Sequence, residues 1–108
     1  MKILVLKFGG TSVGTIEKIK KVADIIANYK KKNYKVIVIS SAMSGVTNEL
    51  IKKSLKISDN FSSSEHAVLV SSGEQVACSL IAGRLIHKGY KRKLTTISRV
   101  DDWYVLDE

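Results

Sequence analysis

The stretch KILVLKFGGTSVG, residues 2–14, limits the fold of this chain more than any other part of its sequence. Its apolar residues at positions 3–6 predict a buried strand, and a glycine pair follows before helical spacing begins. Glycine has no Cβ atom, so the backbone at Gly9 and Gly10 can turn sharply and bring its N–H groups close to a bulky anion. The stretch therefore predicts a strand, a turn of phosphate size and the start of a helix.

The side chains of this turn have the chemistry of an anion site. Lys7 supplies a mobile positive charge at the end of the strand, and Thr11 and Ser12 add hydroxyl donors. An ordinary strand-to-helix connection with an exposed lysine would have the same glycines. The phosphate interpretation gains weight because the chain carries two further turns of small polar residues.

Length and composition restrict the classes of protein to consider. A chain of 108 residues with 44% hydrophobic residues is one globular domain at most. Its apolar runs are much shorter than the roughly 20 residues of a membrane span, and its start does not resemble a signal peptide. We therefore expect a cytoplasmic protein that does not bind membranes. The single cysteine, Cys78, lies in an apolar helical pattern and is predicted to be a buried, inert thiol.

The chain is strongly basic, with a formal net charge of +8. Such a charge favours anionic partners, among them nucleotides and nucleic acids. Most of the lysines, however, share segments with a clear apolar stripe, which is typical of a solvated helix face. Few aromatic residues are interleaved with them, and no nucleic-acid-binding signature is present, so binding of nucleic acid is not expected.

The first half of the chain has the pattern of a βαβ unit. Apolar residues recur at steps of three and four over residues 15–32, which predicts a helix that Thr15 can cap. Residues 36–39 are all β-branched and predict a strand covered on both faces, as in a parallel sheet. A second small-residue turn, residues 40–48, follows that strand and precedes another helix. Ligands bind at the carboxyl ends of such strands, so both turns should lie at one edge of the sheet.

The second half is less regular. Residues 58–65 are predicted to form a connector, and the apolar run at residues 67–70 slightly favours a helix. A third small-residue turn is predicted at residues 71–74, followed by a helix that begins near Glu74 and ends at Gly89. A further strand is predicted at residues 94–97.

Taken together, the segments KFGGTSVG, SSAMSGVTN and SSGEQ resemble the N-terminal lobe of the aspartate kinases, within the amino acid kinase family. The resemblance extends from residue 2 to about residue 94. It implies an α/β fold, a three-layer α/β/α sandwich on a mainly parallel sheet. It also implies transfer of the γ-phosphoryl group of ATP, with Mg²⁺, to the β-carboxylate of L-aspartate, the first step towards lysine, threonine and methionine.

By the same resemblance, each turn has a role. Lys7 corresponds to the catalytic, phosphate-binding lysine of the family, and Gly9, Gly10, Thr11 and Ser12 form its phosphate-cradling turn. Ser41 and Thr47 match residues that hold aspartate, and Glu74 matches a glutamate that engages the amino group of the substrate. No general base is needed, because the carboxylate of aspartate has a pKa of about 4 and is already ionised at neutral pH.

The segment RVDDWYVLDE at residues 99–108 departs from the family pattern. Family members continue with a nucleotide lobe and regulatory domains, so residues 1–108 are predicted to be only the N-terminal, substrate-binding and phosphate-binding part of a kinase domain. No metal-ligating residue can be assigned. Two interpretations remain open. In the first, the chain is part of an aspartate kinase and forms a homo-oligomer or is complemented by another chain. In the second, the chain is a non-catalytic module that binds anions without phosphoryl transfer.

Overall fold

The computed structural model describes residues 2–90, 93–94 and 106–107. Four strands and three helices occur within these residues. The strands are β1 (Lys2–Phe8), β2 (Tyr34–Ser40), β3 (Lys93–Leu94) and β4 (Leu106–Asp107). The helices are α1 (Ile16–Lys31), α2 (Val46–Ile57) and α3 (Ser63–His87).

The sheet is built around the parallel pair β1 and β2. The pair runs in register from Lys2 opposite Tyr34 to Phe8 opposite Ser40, and the strand order of the sheet is β1-β2-β4-β3. The short strands β3 and β4 join it in antiparallel pairing, β4 lying next to β2. The predicted α/β architecture on a parallel sheet is confirmed, and strand β1, α1 and strand β2 form the predicted βαβ unit.

Helix α1 begins as the sequence predicts. The side-chain hydroxyl of Thr15 accepts a hydrogen bond from the backbone N–H of Lys18 at 3.2 Å, which caps the helix. Its apolar stripe packs on helix α3 and strand β2, and together they form one core. The buried residues of that core are Val13, Ile19, Val22, Ile26, Val36, Val38, Ala77, Ile81 and Ala82.

The described helices cover one face of the β1 and β2 pair. Leu6 and Phe8 of β1 pack against the core, whereas Ile3 and Val5, which alternate with them, are exposed on the other face. The described part of the molecule is therefore a partial sandwich, with one helical layer in place. None of the described helices combines the length and the apolar composition needed to cross a bilayer.

The predicted turn at residues 71–74 is wrong, because these residues lie inside the continuous helix α3. The hydroxyls of Ser71 and Ser72 donate to the carbonyls of Val68 and Leu69 at 2.9 and 2.6 Å, so they are satisfied within the helix itself. Glu74 is therefore in the middle of a helix and not at the beginning of one, where the sequence predicted it.

The remaining predictions fall close to the structure. Helix α3 contains the apolar run at residues 67–70 and begins at Ser63, so the connector is shorter than predicted. Gly89 ends the helix with a φ of 98°, as predicted, and Cys78 is buried. Of the strand predicted at residues 94–97, residue 94 belongs to β3, and residues 95–97 lie outside the described residues.

Candidate functional site

The loops after β1 and β2 lie side by side at the carboxyl edge of the sheet. The backbone N–H of Ser41 donates to the carbonyl of Phe8 at 3.0 Å, which joins the start of the second loop to the end of β1. Gly10 approaches that loop so closely that a Cβ atom on it would stand 3.2 Å from the carbonyl oxygen of Ala42. The predicted meeting of the two turns at one sheet edge is confirmed, and a Cβ atom at position 10 would make a tight contact with the second loop.

A cleft of about 420 Å³ opens between these loops and helix α3. Five of the eight residues singled out from the sequence contribute to its wall, and each of the three motif segments is represented. The lining residues are Gly10, Thr11, Ser41, Ala42, Met43, Ser44, Gly45, Thr47, Asn48, Val70 and Glu74.

Glu74 is the only acidic side chain among the residues that line this cleft. It is 97% buried, since only 3% of its surface is exposed, and its Oε2 atom has no hydrogen-bond partner among the described residues. A buried carboxylate oxygen without a partner costs free energy, and native proteins rarely keep one without a use. Its place on the wall of a cleft indicates that a ligand with a hydrogen-bond donor or a positive charge completes it.

The N-terminus of α2 also borders the cleft. It begins after Gly45, whose φ of 84° is in the left-handed region that favours glycine, and no side chain caps it. Thr47 and Asn48, in the first turn of α2, line the cleft. The free N–H groups and the dipole of a helix N-terminus favour an anion such as a carboxylate. The cleft thus combines one acidic side chain, Glu74, with a helix end suited to anions.

Three of the predicted site residues do not line this cleft. Lys7 and Gly9 are exposed at the end of β1 and in the turn that follows it. Ser12 lines a second cleft of about 400 Å³, on the α1 side of the turn, together with Thr11 and the lysines 18 and 21. The turn after β1 therefore separates two openings, and Thr11 borders both of them.

Gly73 has a packing role that was not predicted from the sequence. A Cβ atom on this residue would stand 2.9 Å from the Cβ of Ala42 and 3.1 Å from a methyl group of Val46. Its missing side chain lets helix α3 lie directly against the loop and the start of α2. A lone glycine within a helical apolar pattern was the available signal, since such a glycine often has a packing reason.

The residues of the cleft do not form a metal site. No group of three or more His, Cys, Asp and Glu side chains suited to a metal ion occurs in the part of the chain that the structure describes.

Comparison with known proteins agrees with this geometry. The sequence model of the amino acid kinase family matches residues 2–105. The aspartokinase of Geobacillus stearothermophilus is 46% identical over 91 residues, a match that covers 84% of this chain and 22% of that enzyme. Aspartokinase 2 of Bacillus subtilis (strain 168) is 44% identical over 90 residues, covering 83% of this chain and 22% of that protein.

A solved structure supports the same relationship. The aspartate kinase from Synechocystis superimposes with a TM-score of 0.77 at 38% sequence identity, covering 80% of this chain and 15% of that chain. The chain thus spans about a fifth or less of the length of these relatives, and the match lies in their N-terminal part. On the match of its sequence to the family model and on its fold, the chain belongs to the amino acid kinase family.

Proposed function

We propose that this chain forms the aspartate-binding and phosphate-binding part of an aspartate kinase. In the proposed reaction, an oxygen of the β-carboxylate of L-aspartate attacks the γ-phosphorus of ATP. The bond from that phosphorus to the bridging oxygen breaks, and aspartyl phosphate and ADP form. Positioning and charge stabilisation dominate such a transfer, and the carboxylate needs no base.

The observation that carries the proposal is the buried Oε2 of Glu74, which has no hydrogen-bond partner among the described residues and lies in a cleft that the uncapped start of α2 also borders. A free amino acid has an ammonium group and carboxylates a few ångströms apart. The ammonium group would complete Glu74, and a carboxylate would lie at Ser41, Thr47 and the N–H groups of α2. This complementarity favours an amino acid over a nucleobase or a sugar as the ligand of the cleft.

The nucleotide would approach from the turn after β1. Backbone N–H groups at Gly9 and Gly10 and the hydroxyls of Thr11 and Ser12 would bind the phosphates, with Lys7 adding a full charge. Mg²⁺ would enter with the nucleotide, because this ion is usually held by substrate phosphates with only one or two carboxylates.

Two dicarboxylates test the amino acid site. Succinate resembles aspartate but lacks the ammonium group, so titration calorimetry should find that the chain binds L-aspartate about 10-fold or more tightly than succinate, the size of one charge-assisted hydrogen bond. Glu74→Gln should remove this preference. Glu65→Gln, at an exposed position of the same helix, should keep it. Equal affinity for the two ligands in the unaltered chain would contradict the proposal.

A second candidate is an amino acid or anion-binding module that transfers no phosphoryl group. It is favoured by the position of Lys7, which is exposed and does not line the cleft. Trapping of aspartyl phosphate as its hydroxamate separates the two. We expect the chain alone to form no product. Once the remainder of a kinase domain is supplied, we expect product to form, and Lys7→Ala should abolish it.

A further inference from the structure

Three serines are buried in the part of the chain that the structure describes, and one of them differs from the others in its hydrogen bond. The hydroxyls of Ser54 and Ser71 donate to carbonyls three residues earlier, at 2.7 and 2.9 Å, within their own helices. Ser40 is the last residue of β2 and is fully buried. Its hydroxyl donates forward along the chain, to the carbonyl of Ser41 at 3.0 Å. The hydrogen bond of Ser40 therefore leads out of the strand and into the loop that lines the cleft.

Both peptide groups that flank the Cα atom of Ser41 are held by hydrogen bonds. The N–H of Ser41 donates to the carbonyl of Phe8 at 3.0 Å, which fixes the peptide group before this Cα atom. The carbonyl of Ser41 accepts from Ser40, which fixes the peptide group after it. Because peptide groups are planar, the two hydrogen bonds together set the backbone of Ser41 and the direction of its Cα–Cβ bond. Only rotation about χ1 remains for the Ser41 hydroxyl.

A fixed backbone at Ser41 matters because this residue lines the cleft. A loop that is already ordered loses less conformational entropy when a ligand binds than a loop that must be ordered first. Ser40 is not among the residues that line the cleft, so its effect on a ligand passes through Ser41. Since Ser40 is fully buried, bulk water does not compete for its hydroxyl.

We propose that Ser40 is a positioning residue, whose buried hydroxyl holds Ser41 ready to bind a carboxylate of the substrate. The inference rests on the proposed function, because it names the residue that prepares Ser41 for aspartate. It predicts that loss of the Ser40 hydroxyl weakens every ligand with a carboxylate at Ser41, whether or not the ligand also has an ammonium group for Glu74.

Titration calorimetry of the 108-residue chain with L-aspartate and with succinate tests this prediction. Ser40→Ala should weaken both ligands about 5-fold, the size of one neutral hydrogen bond, and should keep the preference for L-aspartate. Ser41→Ala removes the hydroxyl that Ser40 positions. In that background Ser40→Ala should change the affinity by less than about twofold. A merely structural loss would weaken binding by the same factor in both backgrounds.

A measurement without ligand tests the hydrogen bond itself. The amide of Ala42 belongs to the peptide group that Ser40 holds, and the amide of Ser41 to the one that Phe8 holds. In Ser40→Ala the NMR order parameter of the Ala42 amide should fall from the value of about 0.85 for rigid backbone towards about 0.6, while that of Ser41 stays high.

Ser54→Ala is the matched control, since it removes an equally buried serine hydroxyl from α2. It should leave the order parameter of Ala42 unchanged and both affinities within about twofold.

The outcomes separate the role of Ser40 from the proposed function. An unchanged order parameter at Ala42 in Ser40→Ala, or an equal loss of affinity with and without the Ser41 hydroxyl, overturns the positioning role alone. Equal affinity of the unaltered chain for L-aspartate and succinate contradicts the proposed function alone. Failure of the unaltered chain to bind either ligand overturns both, because Ser41 would then have no carboxylate to bind.

Discussion

The backbone of Gly73, in the middle of α3, packs against the side chain of Ala42 in the loop after β2. A Cβ atom on Gly73 would stand 2.9 Å from the Cβ of Ala42. Real Cβ atoms do not come so close, so the two segments can lie this near only because residue 73 has no side chain. Glu74 follows directly in the helix, and Ala42 lines the cleft. The width of the cleft between Glu74 and the loop therefore depends on the absence of a side chain at residue 73.

Gly73→Ala should lower the stability of the chain by about 1–3 kcal/mol, the usual cost of forcing an extra methyl group into a packed contact. The short side chain of Ala42 cannot move aside, so the loop itself must shift. The same shift should weaken binding of L-aspartate. Urea unfolding gives the free energy of unfolding, and calorimetry gives the affinity.

Gly83→Ala is the matched control, because Gly83 lies in the same helix and nothing is within 4 Å of a Cβ atom on it. Alanine is the better helix former, so this variant should be more stable by about 0.5–1 kcal/mol. If both variants were stabilised, the close contact at Gly73 would not limit the approach of α3 to the loop.

Glu74→Gln should make the unliganded chain more stable by about 1 kcal/mol, while it weakens the binding of aspartate. A buried carboxylate with one unpartnered oxygen is costly, and the amide carries no charge to desolvate. Thermal and urea unfolding without ligand measure the difference. Glu65→Gln, at an exposed position, should change stability by less than about 0.5 kcal/mol. Loss of stability in Glu74→Gln would mean that the carboxylate has a structural role.

Local signals were enough to predict the first half of the fold. The glycine pair at the end of β1, the Thr15 cap and the β-branched run of β2 each act through neighbouring residues, and the structure has each of them in its predicted place. Together they also predicted that the two turns meet at one edge of the sheet. The cleft between them follows from that topology.

The second half depended on contacts between distant residues. Small residues at positions 71–73 are typical of a turn when they are considered locally, but here Gly73 allows α3 to lie against Ala42 and the start of α2. That packing was invisible without the structure. The resemblance to aspartate kinases assigned Glu74 to the site from its motif, although the helix around it was predicted wrongly. The position of Lys7 outside the cleft could not be predicted from its spacing.

Thr15→Ala should cost about 1 kcal/mol, since it removes the hydroxyl that accepts from the N–H of Lys18 and leaves this N–H without its cap. Ser62 is the matched control, because it precedes α3 in the same position but its side chain makes no capping hydrogen bond. Ser62→Ala should therefore change the free energy of unfolding by less than about 0.5 kcal/mol. Equal losses in the two variants would show that the cap at Thr15 adds nothing.

An ion pair between Asp24 of α1 and Lys88, just after α3, should make stability depend on pH in the acid range. The hydrogen bond and charge of Lys88 lower the pKa of Asp24 below its ordinary value of 3.8. A carboxyl group with a lowered pKa in the folded state stabilises it at pH values above the unfolded pKa, and this contribution is lost as the pH falls through the folded pKa. The stability lost in Asp24→Asn should thus be constant near neutral pH and shrink below about pH 4.

The Asp24 prediction is checked by urea unfolding at a series of pH values, together with an NMR titration of the carboxyl group. In a Lys88→Met background the pKa of Asp24 should rise towards 3.8, and Asp24→Asn should then have a smaller effect with little dependence on pH. High salt should reduce the difference as well, because both side chains are partly exposed. An unchanged titration of Asp24 after the loss of Lys88 would mean that this pair does not link α1 to the end of α3.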